Sequence, residues 1–132
     1  MSGEQRQSVH NSRRGSTALV MNTTRETVLA DRATIASNLW KLLVGLIPYR
    51  RLNPGDGMVF PRTGSIHTTG LKFEIDVLFL SRDGRIIGMK ERVAPFRIAW
   101  APRGSHTAIE LPGGALSAGK CQIGDQVTVT SL

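Results

Sequence analysis

Residues 73–80, FEIDVLFL, followed at once by SRDG and then by RIIGMKERV, leave this chain little freedom in what it folds into. The octet is dense in β-branched and aromatic side chains, which pack well on a pleated surface, so it is a core strand. Asp83-Gly84 then supplies the residue pair of a tight hairpin, and residues 85–93 return as the partner strand. The octet also carries a problem. Asp76 sits in the middle of an apolar run, where an unpaired carboxylate is costly, so it demands a partner.

The rest of the chain repeats the pattern of short strands and turns. Strands are expected at 26–33, 58–60, 96–101, 106–111 and 126–130, with Pro54-Gly55 and Gly124-Asp125 at turns between them. One amphipathic helix is expected after Ser37 as N-cap, with Leu39, Leu42, Leu43 and Leu46 on one face and Pro48 ending it. A short helical turn is expected after Pro112-Gly113-Gly114. Strands at this spacing predict a mainly β fold, α+β by strict count, arranged as a compact, closed or partly closed barrel-like domain with one or two short helices. Bulky apolar residues are scarce at the start, so residues 1–24 are expected to be a disordered tail and residues 25–132 a single domain.

The net charge of +7 raises nucleic acid as a partner, and its distribution argues against one. The excess is +2 over each of residues 1–30, 31–60 and 61–90, and +1 over 91–132. Few aromatics stand among the local pairs Arg13-Arg14 and Arg50-Arg51 to stack bases. No apolar run approaches the roughly 18 residues of a membrane span, and no signal-peptide core is visible. A single cysteine, Cys121, excludes an intrachain disulfide and fits a reducing cytoplasm. A soluble cytoplasmic protein is expected.

Several motifs lose against plainer readings. Gly114-Ala-Leu-Ser-Ala-Gly119-Lys120 has the spacing of a phosphate-binding loop, but Cys121 stands where a magnesium-binding hydroxyl belongs, and Gln122 to Asp125 is turn-like where a helix is needed. His10, His67 and His106, with Glu110 and Cys121, show no metal-ligand spacing, so no metal and no cofactor is expected. No serine lies in a G-x-S-x-G elbow. Cys121 would have a lowered pKa beside Lys120 if exposed and is inert if buried. His67 and Asp76 lie about 30 Å apart in an extended strand and meet only through a bend, with Gly70 the candidate hinge. The plain alternative is that Asp76 accepts backbone N–H bonds or pairs with an arginine. Phe96 and Trp100 line a ligand groove in one reading; in the other, Trp100 packs at a barrel end.

From residue 28 to residue 129 the order of these segments resembles the bacterial and archaeal family known as domain of unknown function 192. The residues that carry the likeness are Gly45-Leu46 at the helix end, Gly57-Met58-Val59-Phe60, His67-Thr68, Leu71-Lys72-Phe73, Ile75-Asp76, Asp83-Gly84-Arg85, Ile109-Glu110-Leu111-Pro112-Gly113-Gly114 and Gly124-Asp125. Two positions depart from the pattern: Thr69 replaces an aromatic and Glu74 replaces a proline. The resemblance implies a compact, mostly β domain without an established reaction and supplies no catalytic residues. The expectation is a non-catalytic module binding a small molecule or a protein, with His67, Thr68, Asp76 and Glu110 as its polar cluster. The alternatives are a small-molecule enzyme built on His67 and a carboxylate, and a weak electrostatic binder of nucleic acid. The oligomeric state is open.

Overall fold

The computed structural model of the chain describes residues 16–35, 52–61, 65–67, 73–95 and 98–132, with residues 65–67 and 98 described through their backbone. The strands are β1 (Ser16–Asn22), β2 (Thr27–Ile35), β3 (Asp56–Pro61), β4 (Ser65–His67), β5 (Ile75–Leu80), β6 (Ile86–Val93), β7 (Ile98–Trp100), β8 (Thr107–Pro112) and β9 (Val127–Ser131), with one described helix, α1 (Ala115–Ala118). Seven strands form one sheet in the order β6-β5-β8-β3-β2-β1-β9, while β4 and β7 pair with each other in a separate ribbon. All pairings are antiparallel except β2 with β3. The expected mainly β, partly closed architecture is therefore what forms.

The large sheet curls until its two edges approach. Arg85 bridges Gln126, the Ile86 N–H donates to the Asp125 carbonyl at 2.9 Å, and the Val127 N–H donates to the Gly84 carbonyl at 2.9 Å. That seam makes the sheet a half-barrel with a concave and a convex face. Side chains alternate across a strand, so each face has its own core. The concave core draws on every strand of the sheet, with Ala18, Val20, Ala33, Val59, Leu78, Ile109, Leu111 and Val127, and α1 adds Leu116 to it. The convex core is smaller: Met58, Phe60, Ile75, Val77, Phe79 and Ala108 from β3, β5 and β8, with Ala99 from the ribbon packed against them. Strand β5 serves both cores, and all six of its residues are buried. This is why its sequence is apolar nearly throughout rather than alternating.

Turn chemistry agrees with the sequence. Pro54 and Gly55 are the central residues of a turn closed by the Asp56 N–H on the Asn53 carbonyl, and Gly55 has φ +91°. The Asp83-Gly84 hairpin forms with a three-residue connection, Gly84 taking φ +86° as the Ser81 and Arg85 backbones close the loop. The expected helical turn after Pro112-Gly113-Gly114 is α1. It ends when Lys120 enters the left-handed region at φ +57°, with the Cys121 N–H on the Leu116 carbonyl and the Lys120 N–H on the Ser117 carbonyl. The phosphate-loop spacing is thus occupied by a helix that lies before the Lys instead of after it.

One expectation is corrected. The segment 1–24 was expected to be disordered, yet Ser16–Asn22 is strand β1, central enough to pair with both β2 and β9. Its sequence, STALVMN, carries few large side chains, but Ala18, Val20 and Asn22 all face the interior and are fully buried. Small residues suit a tightly curled sheet, and their low bulk hid the strand. The helix expected over residues 37–48 lies outside the described residues.

Candidate functional site

Of the expected polar cluster of His67, Thr68, Asp76 and Glu110, the two carboxyl residues do not come together. Asp76 pairs with Leu111, and its neighbour Val77 pairs with Glu110, so strand alternation sends the two carboxyl groups to opposite faces of the sheet. His67 lies in ribbon strand β4, its backbone opposite Ile98. Thr68 and Phe96 lie outside the described residues. Trp100 is 71 % exposed on β7 and does not pack at a barrel end.

Asp76 satisfies itself entirely with backbone. Its Oδ1 accepts the Arg92 N–H at 2.9 Å; its Oδ2 accepts the Gly114 N–H at 3.1 Å and the Leu116 N–H at 2.9 Å. The first bond explains a local irregularity. Between Ile75↔Val93 and Val77↔Lys90 the β5–β6 register shifts, leaving Arg92 in a bulge at φ +50° with its N–H turned from the ladder to the carboxylate. The other two bonds satisfy donors at the start of α1, where Gly114 has no capping side chain of its own. Glu74 lies outward and pairs with the Arg92 guanidinium at 2.8 Å. Asp76 is a clamp between β6 and α1.

Glu110 is the opposite case. It is 0 % exposed, and neither carboxyl oxygen has a hydrogen-bond partner among the described residues. Its cross-strand neighbours are Met58 on β3 and Val77 on β5, with Ala108 two residues earlier on the same face. Burial among these groups pushes its pKa from the ordinary 4.5 up to about 8. At neutral pH it is a carboxylic acid, able to donate and to accept. An orphaned polar group inside a packed face is costly, and such groups concentrate where a protein binds something.

A second polar cluster was not foreseen. Asn22, at the end of β1, accepts the Arg25 N–H at 3.0 Å through its Oδ1. Through Nδ2 it donates to Asp125 Oδ2 at 3.0 Å and to Cys121 Sγ at 3.5 Å. Arg25 Nε and the Gln122 N–H also donate to Asp125 Oδ2, each at 3.0 Å. The Arg25 and Asn22 hydrogen bonds, with the Gln122 N–H adding to them against burial, hold the Asp125 carboxyl down at about 2. The cluster ties the β1–β2 turn to the turn preceding β9. Cys121 belongs to it as a half-buried thiol whose pKa burial pushes up, so the lowered pKa entertained beside Lys120 is not found. The sequence signal for this site was Gly124-Asp125, which marks the turn but not its partner a hundred residues away.

Because Asp125 is depressed in the folded protein relative to its ordinary 3.8, its contribution to stability is present above about pH 4 and is lost as pH falls through about 2. Asp125→Asn is expected to flatten the acid limb of stability in that window, read as the urea midpoint at pH 2, 3 and 4. An unchanged acid limb would show that the Arg25 and Asn22 contacts do not hold in solution.

No group of three His, Cys, Asp or Glu side chains converges as a metal site among the described residues. No described helix is long and apolar enough to cross a membrane. Among the described residues, Glu110 on the convex face is the buried acidic side chain left without a hydrogen-bond partner.

The family model DUF192, described as an uncharacterized ACR, matches residues 20–129. A UPF0127 protein of Thermococcus sibiricus is 27% identical over 113 residues, covering 83% of this chain and 73% of that protein. Among solved structures, a protein of unknown function from Novosphingobium aromaticivorans is similar with a TM-score of 0.71 at 20% identity, covering 85% of this chain and 83% of that one. A Sinorhizobium meliloti protein provisionally named a transcription regulator is similar with a TM-score of 0.70 at 20% identity, covering 86% and 92%. At that identity these two structures speak to the fold alone.

Proposed function

The chain belongs to the DUF192 family of uncharacterised proteins, and on that footing we propose that it is a cytoplasmic, non-catalytic small-molecule-binding module whose site is the convex face around Glu110. The observation that carries the reading is the pair of orphaned oxygens on a fully buried carboxyl. A group of this kind destabilises the free protein by about 1–3 kcal/mol, and a ligand that pairs with it relieves that cost on binding. Asp76 and Asp125, equally buried, are fully engaged with their own chain and offer a ligand nothing. The described carboxylates also supply no acid–base pair, which disfavours the enzyme alternative.

The test is a thermal-shift screen of a metabolite and metal library against the parent, Glu110→Met and His67→Ala. A compound at a hundred times its Kd stabilises a protein by about 2.7 kcal/mol, a shift of several degrees for a domain of this size. A compound that shifts the parent and not Glu110→Met supports the reading. Silence across the library, or shifts shared equally by Glu110→Met, would leave Glu110 as a tolerated defect of the fold.

A further inference from the structure

We propose that the ligand of the Glu110 site is a neutral molecule presenting a hydrogen-bond donor and acceptor side by side, as the edge of a lactam or cis-amide does, on an otherwise apolar ring. This rests on the ligand-binding reading above and adds the ligand's chemistry to it. A protonated carboxyl offers one O–H donor and one carbonyl acceptor about 2.2 Å apart, and a cis-amide edge answers both at once. Both orphaned oxygens of Glu110 then have a partner and no charge leaves water. An apolar ring suits this face, where Met58 and Val77 are the cross-strand neighbours of Glu110, and Ala108 and Phe60 belong to the same core.

The competing chemistries fit less well. An ammonium or amidinium ligand would need Glu110 ionised and the cation stripped of water among apolar side chains, where desolvation commonly exceeds the attraction gained. The chain's net charge of +7 also opposes the approach of a cation. A carboxylate ligand would surrender its hydration for a single donor. The element over this face is the β4–β7 ribbon. It packs on the convex core through Ala99 yet forms a sheet of its own, so displacing it breaks no rung of the seven-stranded sheet.

The test uses the full chain with 2-pyridone, 1-methyl-2-pyridone and benzamidine, titrated by ligand-observed NMR against the parent, Glu110→Gln and Glu110→Met at acidic and alkaline pH. The glutamine amide keeps one donor and one acceptor, so it is the conservative rescue. At pH ~6.5, 2-pyridone is expected to bind the parent and Glu110→Gln within about threefold of each other, and Glu110→Met about tenfold or more weakly, as befits two lost hydrogen bonds. 1-Methyl-2-pyridone, which lacks the N–H, is expected to be weaker by a similar factor. At pH ~9.5 the parent is expected to weaken about tenfold while Glu110→Gln does not. Preference for benzamidine over 2-pyridone, with loss of binding in Glu110→Gln, would replace the neutral ligand by a cation and leave the ligand-binding reading standing. If all three probes fail while a library compound stabilises the parent through Glu110, the amide-edge ligand is overturned and the ligand-binding reading stands. Equal affinity of 2-pyridone for Glu110→Met would place it elsewhere and overturn the proposal. Silence from both probes and library would end both readings. Should Glu110→Met not fold, the methylated probe and the pH response of Glu110→Gln decide the matter.

Discussion

Raising the pH from 5 to 9 is expected to destabilise the parent protein by about 4 kcal/mol and to leave Glu110→Gln nearly level over the same range. The folded protein holds the Glu110 proton until about pH 8, whereas the unfolded chain releases it near 4.5. Between those values the folded state binds more protons than the unfolded state, so stability falls as pH rises. The contribution is fully present below 4.5, declines across the window and is gone above 8. Glutamine is uncharged throughout and removes the slope. Since single domains are typically stable by about 5–15 kcal/mol, the effect is large enough to see in urea midpoints at three pH values. The Asp125 effect lies below pH 4 and does not overlap. An identical alkaline slope in Glu110→Gln would mean that water reaches the carboxyl and that the convex face is not dry.

The second large effect is expected at Asp76. Asp76→Ala strands three backbone donors, the N–H groups of Arg92, Gly114 and Leu116, in or near the core. Hydrogen bonds to a charged acceptor are worth roughly 1.5–3 kcal/mol each, with losses that overlap where the donors find water, so a total of about 4 kcal/mol is expected. Asp76→Asn is expected to cost about half of that, because one of its two oxygens becomes a donor facing donors. The distinguishing measurement is native-state hydrogen exchange. The three named amides should lose protection at free energies well below global unfolding, whereas a variant that merely lost packing would lower all amides together. A loss under about 1 kcal/mol in Asp76→Ala would refute the clamp.

Asp76 and Glu110 show how much could be read from the chain itself. That Asp76 needed a partner followed from an acid inside FEIDVLFL, and backbone N–H groups were one of the stated solutions. Which N–H groups could not be read, because they arise from a bulge at Arg92 and a turn at Gly114, 16 and 38 residues away. Glu110 looked like a companion of Asp76 because both flank apolar residues in the strands they occupy. Only the pairing of Val77 with Glu110, a matter of register between strands, reveals that they face opposite ways. The hairpin at Asp83-Gly84 and the turn at Pro54-Gly55 were legible because local backbone geometry dictates them. Strand β1 was not, since its burial depends on partners at both ends of the chain.

The order in which strands are made differs from the order in which they stand. Strand β9 emerges last of the described strands, yet it covers the outer edge of β1 and adjoins the Asp125 and Gln126 segment that stitches the seam to Arg85 and Ile86. Until it is made, the growing chain exposes an unpaired edge on β1 and an open barrel beside it. Closure therefore waits for β9, and its long sequence separations make it slow. A nascent chain with a bare edge is a template for pairing with its neighbours on the same messenger. Stalling translation after residue 120 should hence yield chains that aggregate, while chains extended past β9 close.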